Sequence, residues 1–277
     1  MTPLRSILVH IDASPRCAVR LALARDLAQR HSATLTALYA VTPGFIDMPY
    51  AYAEATAGMM AAMQELDSER RDAARKLFDQ ANTGQLMHWR DLATSTVAHS
   101  VADQALYADL LVLGQHDGDG ARAAGVPADF VATALIASGK PALVVPSQGP
   151  FTHVGKEVLI AWKPTRESAR AVASAVPMLQ LAQRVHISCA NEPEAPSTAF
   201  TDLQAYLRQH SVHCPIEQHG PLPDDIPGEA LLSLSADVSA DLLVMGCYGH
   251  SRLRELMLGG VSRTILQAMT LPVWMTH

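Results

Sequence analysis

The sequence is poor in charged and aromatic residues, and it lacks a long hydrophobic segment. Charged residues make up 17% of its 277 positions and aromatic residues 5%, and 27 acidic residues outnumber 21 basic ones. A chain with this net charge of −6 lacks the basic surface that binds nucleic acid through its phosphates, so we expect no nucleic-acid partner. No apolar run approaches the length of a membrane span, and the N-terminus enters a strand-like segment without a signal peptide. We therefore expect a cytoplasmic protein that has no contact with a membrane.

Cysteine is also scarce, and its spacing excludes a redox pair. Cys17, Cys189, Cys214 and Cys247 are scattered, with no C-x-x-C arrangement. In a reducing compartment four such residues are expected to be free thiols. Cys247 stands in a glycine-rich stretch, where its thiol could be exposed.

Apolar residues are abundant, and their order repeats. They account for 49% of the chain, enough for two domains that each have a core. The segment 7–14 resembles 158–165 at an offset of 151, and 108–114 matches 240–246 at an offset of 132. The intervening Pro146-Ser147-Gln148-Gly149-Pro150 has the composition of a linker. The sequence therefore predicts a tandem repeat with domains at residues 1–147 and 151–277.

Each copy alternates strand-like and helix-like segments. In the first copy strands are expected near 5–11, 33–40, 85–91, 109–114 and 142–146, and Ser14 and Pro15 have the residue types of a helix start. In the second copy strands are expected near 157–162, 185–190, 212–218, 241–245 and 272–275. Strict alternation implies right-handed crossovers and a parallel sheet. The predicted fold class is α/β, with two tandem doubly wound domains that each hold a five-stranded parallel sheet flanked by helices.

A glycine-rich stretch near the C-terminus has the residues of an anion site. The buried strand that ends at Gly246 is followed by Gly249, and after nine further residues come Gly259 and Gly260, then a helix-like segment from Ser262. Glycines let backbone N–H groups approach a ligand closely, and a helix start adds unpaired donors and a positive dipole end. Phosphate is the expected anion.

This spacing resembles the nucleotide loop of the universal stress protein family, and the resemblance extends over the whole chain. It implies the adenine nucleotide alpha hydrolase-like fold, ATP or AMP as a ligand in some members, and a homodimer. ATP-binding members usually carry Ser or Thr where this chain has Gly260, whereas the hydroxyl of Ser262 is retained. The departure affects the expected affinity more than the expected location.

The two copies retain different parts of that site. Asp12 ends the first strand, as in ATP-binding members, but Asp117, Asp119 and Asp129 place carboxylates where phosphate would lie. The second copy keeps the glycine loop and has Lys163 in the place of Asp12. One nucleotide per chain is therefore expected in the second copy, with Lys163 partly replacing a metal ion, and a requirement for Mg is left open. The candidate nucleotide-binding residues are Gly246, Gly249, His250, Arg252, Gly259, Gly260, Val261, Ser262, Arg263 and Lys163.

Other polar clusters gave no predicted site. In the segment 210–219, His213, Glu217 and His219 would share one strand face and Cys214 the other, so four metal ligands would not converge and a polar strand face is favoured. Met59, Met60 and Met63 favour a packing or dimer surface. No Ser-His-Asp or Cys-His arrangement is recognisable, and at most slow ATP hydrolysis is expected.

Three functions are compatible with these residues. The favoured one is a cytoplasmic stress-response module that binds an adenine nucleotide and acts through conformation or through an unidentified protein partner. The second is a nucleotide-free, pseudo-dimeric interaction module, favoured by Lys163 and Gly260. The third is an enzyme that uses ATP, for which no second-substrate site or general base is identifiable.

Overall fold

The described part of the chain forms two compact units. The computed structural model describes residues 4–44, 56–84, 87–93, 96–118, 120, 124–189, 198–223, 227–247 and 260–277. The units divide between Lys140 and Pro141, before the segment 146–150 that predicted a linker. The domain limits 1–147 and 151–277 remain a prediction. In the described ranges, no helix combines the length and the apolar character that a bilayer crossing requires.

The first unit, Leu4–Lys140, is a parallel sheet with helices. Its strands are β1 (Ser6–Ile11), β2 (Thr34–Val41), β3 (Met87–Ala93) and β4 (Leu110–Gly114), in the order β3-β2-β1-β4. Its helices are α1 (Cys17–His31), α2 (Ala57–Ala81), α3 (Val97–Ala105) and α4 (Phe130–Ser138). Helix α1 packs against α2, and α3 packs against α4. Strands β1 and β4 are almost wholly buried, which explains their continuous apolar sequences.

The second unit, Pro141–His277, repeats this order and adds two strands beside the last one. Its strands are β5 (Ala142–Val145), β6 (Glu157–Trp162), β7 (Arg184–Cys189), β8 (Ile216–His219), β9 (Leu242–Gly246) and β10 (Val273–Thr276). The order is β5-β10-β9-β6-β7-β8, with β5 antiparallel to β10 and the other neighbours parallel. The helices are α5 (Arg166–Leu179), α6 (Ala199–Gln209), α7 (Pro227–Asp237) and α8 (Gly260–Ala268). The predicted α/β fold, a mostly parallel sheet flanked by helices, is confirmed.

The repeated Ala-Asp-Leu-Leu-Val sequence has a structural cause. Asp109, before β4, accepts the backbone N–H groups of Arg5 and Ser6 at 2.8 and 3.0 Å. Asp241, before β9, accepts those of Gly155 and Lys156 at 2.8 and 3.0 Å. In each copy the aspartate therefore satisfies backbone donors where the neighbouring first strand begins.

The predicted start of α1 is wrong by two residues. Ser14 was expected to cap the helix, but α1 begins at Cys17 after a turn, and its capping position is Arg16 without a side-chain hydrogen bond. The hydroxyl of Ser14 instead donates to Asp12 Oδ1 at 2.5 Å. A short polar side chain can hydrogen-bond a neighbouring carboxylate as readily as a helix N–H, and here the buried carboxylate is the partner.

Candidate functional site

A crevice lies in the first unit, at the carboxyl ends of β1 and β4. Strand β1 has β2 on one side and β4 on the other, so successive crossovers leave it in opposite directions. Doubly wound sheets bind ligands at such a position. The crevice is lined by His10, Asp12, Ser14, Arg16, Arg20, Gly114, Gln115, His116, Asp117, Val126, Pro127, Phe130 and Val131.

A buried ion pair occupies this crevice. Arg20 Nη2 donates to Asp12 Oδ2 at 2.9 Å, and Arg20 Nε donates to the carbonyl of His10 at 2.7 Å. The other carboxylate oxygen, Oδ1, accepts the backbone N–H of Ser14 at 2.8 Å as well as its hydroxyl. Burial alone raises the pKa of Asp12, but Arg20, His10 and Ser14 together lower it to about 2. Asp12 is therefore an ionised group whose two oxygens already have partners.

The arginine also fills the space that a ligand would need. A Cβ atom on Gly114 would collide with the guanidinium of Arg20, so this glycine permits the close approach. The enclosed volume is about 20 Å³, room for roughly one water molecule. Of the predicted acidic residues, Asp117 lines the crevice, Asp129 accepts a hydrogen bond from Thr133 at 3.3 Å, and Asp119 lies outside the described residues. A nucleotide would enter this crevice only if Arg20 moved.

Arg20 was missed in the sequence although its position carries a signal. It shares the apolar face of α1 with Cys17, Leu21 and Ala24, at helical spacing, and is itself 3% exposed. A charged residue on a helix face that is otherwise apolar requires a buried partner. The helical spacing alone indicates that Arg20 is buried, whereas its partner Asp12 can be identified only from the fold.

In the second unit the corresponding edge is formed by β6 and β9. The two strands pair in parallel, with Ala161 opposite Met245, so both end at the same edge of the sheet. Lys163 directly follows β6 and is half-buried, and Gly246 is the last residue of β9. The structure thus brings together two of the predicted site residues at neighbouring strand ends.

Gly246 packs directly on the start of α5. A Cβ atom there would be 2.5 Å from the backbone nitrogen of Ser168 and 2.6 Å from the carbonyl carbon of Glu167, so only glycine fits. Burial raises the pKa of Glu167, but the hydrogen bond from Arg166 Nε, 2.5 Å long, contributes to a net lowering. The carboxylate beside this strand end is therefore ionised and paired.

Helix α8 spans Gly260–Ala268, whereas the sequence predicted a helix-like segment from Ser262. Among the described residues, no atom lies within 4 Å of the place where a Cβ of Gly260 would be. Val261 is half-buried, Ser262 is 5% exposed, and Arg263 is exposed on the first turn. The other predicted residues, Gly249, His250, Arg252 and Gly259, lie outside the described residues.

The two edges differ in charge and in side-chain volume. At the offset of 151 that relates the first strands of the copies, Lys163 stands in the place of Asp12 and Ala171 in the place of Arg20. Ala171 is fully buried in α5. Where the first copy has the ion pair of Asp12 and Arg20, the second copy therefore has a lysine and a small apolar side chain.

Cys247 is not exposed, although its place in the glycine-rich stretch allowed for exposure. The residue is 2% exposed, and burial, followed by the nearby Glu167, raises the pKa of its thiol to about 12. A thiolate is disfavoured in such a place, so this cysteine is a core residue. All four cysteines are free thiols, of which Cys17 is also buried.

Comparisons with known proteins agree with the fold. The model of the universal stress protein family matches residues 3–144 and 222–277, more than half of the chain. A universal stress protein from Synechocystis is 40% identical over 45 residues, which span 16% of this chain and only 16% of that relative. A universal stress protein structure from Archaeoglobus fulgidus has a TM-score of 0.71 at 13% identity, covering 98% of this chain and 95% of that one.

A functionally unknown protein from Pseudomonas aeruginosa PAO1 has the same fold. Its structure matches with a TM-score of 0.57 at 18% identity, covering 99% of this chain and 92% of that one. Identities this low show similarity of fold alone. The match to the family model covers most of the sequence, and on that ground the chain belongs to the universal stress protein family.

Proposed function

We propose that this universal stress protein binds one adenine nucleotide, ATP or AMP, at the edge formed by β6, β9 and the start of α8. In this proposal it acts in the cytoplasmic stress response through conformation or a protein partner rather than through turnover. The observation that carries the proposal is the exchange between the copies, from Asp12 and Arg20 to Lys163 and Ala171.

The exchange favours a phosphate ligand on electrostatic grounds. In the first copy the guanidinium of Arg20 is already neutralised by a carboxylate 2.9 Å away. In the second copy Lys163 stands in place of that carboxylate and adds a positive charge at the end of β6. A cation at a partly buried strand end attracts an anion more strongly than one on an open surface, because water screens the charge less there.

The helix start supplies further donors. The first backbone N–H groups of a helix have no partner inside the helix and coincide with the positive end of its dipole. In α8 these groups belong to the segment from Gly260, which carries no Cβ. In this proposal Lys163 and the first N–H groups of α8 contact the same phosphate chain.

The same edge offers little support for hydrolysis. An efficient phosphoryl transfer to water needs a group that orients or deprotonates the water. Glu167 adjoins Gly246, but its pKa is lowered and its oxygen accepts from Arg166, which makes it a weak base. We therefore expect slow hydrolysis at most.

Calorimetric titration of the full chain with ATP tests the proposal. We expect one ATP site per chain. Lys163→Ala should bind ATP at least about tenfold more weakly than the original chain, since a hydrogen bond to a charged group contributes about 1.5–3 kcal/mol. Lys156→Ala is the matched control, because it removes the same charge from an exposed position before β6. Two equivalent sites, or equal effects of the two substitutions, would contradict the proposal.

Gly260 allows a second, independent test. Gly260→Ser restores the hydroxyl that nucleotide-binding members carry, and no atom of the described residues lies within 4 Å of its Cβ position. It should therefore tighten ATP binding several-fold, as one added hydrogen bond contributes about 1 kcal/mol. Gly260→Asp adds a similar volume with negative charge and should weaken binding. If both variants bind like the original chain, the phosphates do not lie at the start of α8.

A further inference from the structure

A cluster of metal-ligand side chains lies on strands β7 and β8. His186 on β7 pairs in register with Glu217 on β8, and His219 lies two residues further along β8. One ligand atom from each of the three lies within 4.8 Å of the others. Sequence reasoning considered Glu217 and His219 together with His213, and missed His186 because it comes from the neighbouring strand.

The side chains already point at one another. His186 Nδ1 is 2.9 Å from His219 Nε2 and 3.7 Å from Glu217 Oε2. Two ligands at 2.0–2.1 Å from a tetrahedral zinc ion are separated by about 3.3 Å, so small rotations would suffice to admit one. His186 is 4% exposed, whereas the other two are partly exposed, so an ion can approach from solvent.

The surroundings orient the buried histidine. His186 Nε2 is 3.3 Å from Glu157 Oε2, so a proton on Nε2 would leave the lone pair of Nδ1 directed at the cluster. Histidines that bind metals typically donate their second ring N–H to a carboxylate in this way. Arg184 holds the other oxygen of Glu217, with its Nη1 2.5 Å from Oε1, and leaves Oε2 on the side of the histidines.

We propose that His186, Glu217 and His219 bind one zinc ion. Two imidazole nitrogens and one carboxylate oxygen are a common protein ligand set for zinc, with water completing the tetrahedron. Magnesium and calcium prefer oxygen ligands and do not suit this set. The ion would join β7 to β8, the short last strand at this edge of the sheet, and so stabilise that edge.

This inference does not rest on nucleotide binding. The zinc ligand His186 is in register with Leu159 of β6, and Lys163 comes four residues after Leu159. At about 3.3 Å per strand residue the two positions are roughly 13 Å apart along the strand direction. Zinc binding and nucleotide binding can therefore be tested independently, and a negative result for one does not affect the other.

Zinc titration of untagged, chelator-treated full-length protein tests the assignment. We expect one saturable site that millimolar magnesium does not displace. His219→Gln and Glu217→Gln should each abolish it, and Glu157→Gln should weaken it by about tenfold, the effect typical of losing a carboxylate that orients a ligand. His213→Gln is the matched control, because His213 is an exposed histidine from the same segment outside the cluster, and it should bind zinc like the original chain.

Thermal unfolding gives a second measurement. A ligand that binds only the folded state raises the melting temperature, so zinc should stabilise the original chain and His213→Gln but not His219→Gln. His219 and Glu217 are partly exposed, so their variants are expected to fold even if a substitution of buried His186 does not. Binding that persists in both His219→Gln and Glu217→Gln, or the absence of saturable binding in the original chain, would overturn the proposal.

Discussion

The individual residue that most constrains the first crevice is Arg20. It is 3% exposed and pairs with Asp12, and isolated removal of either partner would leave a buried charge uncompensated. Such a loss typically costs about 3–5 kcal/mol. Loss of either partner should therefore destabilise this unit, and Asp12 is an internal structural group.

His10, in the same crevice, predicts a dependence of stability on pH. Burial, with a smaller contribution from Arg20, lowers its pKa to about 4 despite Asp12, against an ordinary value of 6.5. The unfolded chain therefore takes up a proton at a higher pH than the folded chain does. The contribution of His10 is complete above pH 6.5 and is lost as the pH falls towards 4, by about 2 kcal/mol between pH 7 and pH 5.

Urea denaturation at pH 7 and pH 5 measures this loss. His10 Nε2 lies 2.8 Å from the carbonyl of Ala40, and His10→Gln keeps a donor near that place without a titrating group. The variant should lose about 2 kcal/mol less than the original chain between the two pH values. His31, whose pKa burial also lowers, contributes to both proteins and cancels in the comparison. Equal pH dependence in the two proteins would contradict the role of His10.

Helix α2 is buried near its C-terminal end and exposed near its N-terminal end. Of its 25 residues only Ala74 and Phe78, near the C-terminal end, are buried, and Met59 near the other end is 42% exposed. The ring of Phe78 meets Trp89 of β3 edge-on at 5.3 Å, and the guanidinium of Arg75 lies 5.1 Å from both ring centroids. The helix is therefore attached to its unit mainly through its last turns.

Substitutions along α2 test this attachment. Phe78→Ala should lower the free energy of unfolding by about 3–5 kcal/mol, because it removes a buried aromatic side chain and leaves a cavity. Met59→Ala, the control on the same helix, should change it by less than about 0.5 kcal/mol. Denaturant unfolding measures both, and a larger effect at Met59 than at Phe78 would contradict the packing described for α2.

Helices and strands could be predicted from the sequence where the local pattern of apolar and polar residues determines them. The apolar runs of β1, β4, β6 and β9 identified these strands within about a residue, because a strand buried on both faces tolerates few polar side chains. Properties that depend on side chains from other elements were not predictable. The hydroxyl of Ser14 donates to Asp12 instead of capping a helix, and His186 lies beside Glu217 and His219 because of the strand register.

At the scale of the whole chain, β5 departs from the expected division. The repeat places it as the last strand of the first copy, yet it falls in the compact unit that begins at Pro141. It runs antiparallel to β10, with Leu143 opposite Trp274 and Val144 opposite Val273, and all four of its residues are buried. The repeat boundary read from the sequence and the packing boundary are therefore different positions.

Two fragments distinguish these boundaries. Residues 141–277 keep β5 beside β10, whereas residues 151–277 remove it and expose a strand edge whose residues are otherwise buried. The longer fragment should be more stable by several kcal/mol, since burying a Val or Leu side chain contributes about 1.5–3 kcal/mol. Denaturant unfolding measures this difference. Leu143→Asp in the longer fragment is the control for chain length. It keeps the number of residues but places a charge where Leu143 is fully buried, so its stability should resemble that of the shorter fragment. Equal stability of the two fragments would mean that β5 contributes nothing to the second unit and that the domain begins after residue 150.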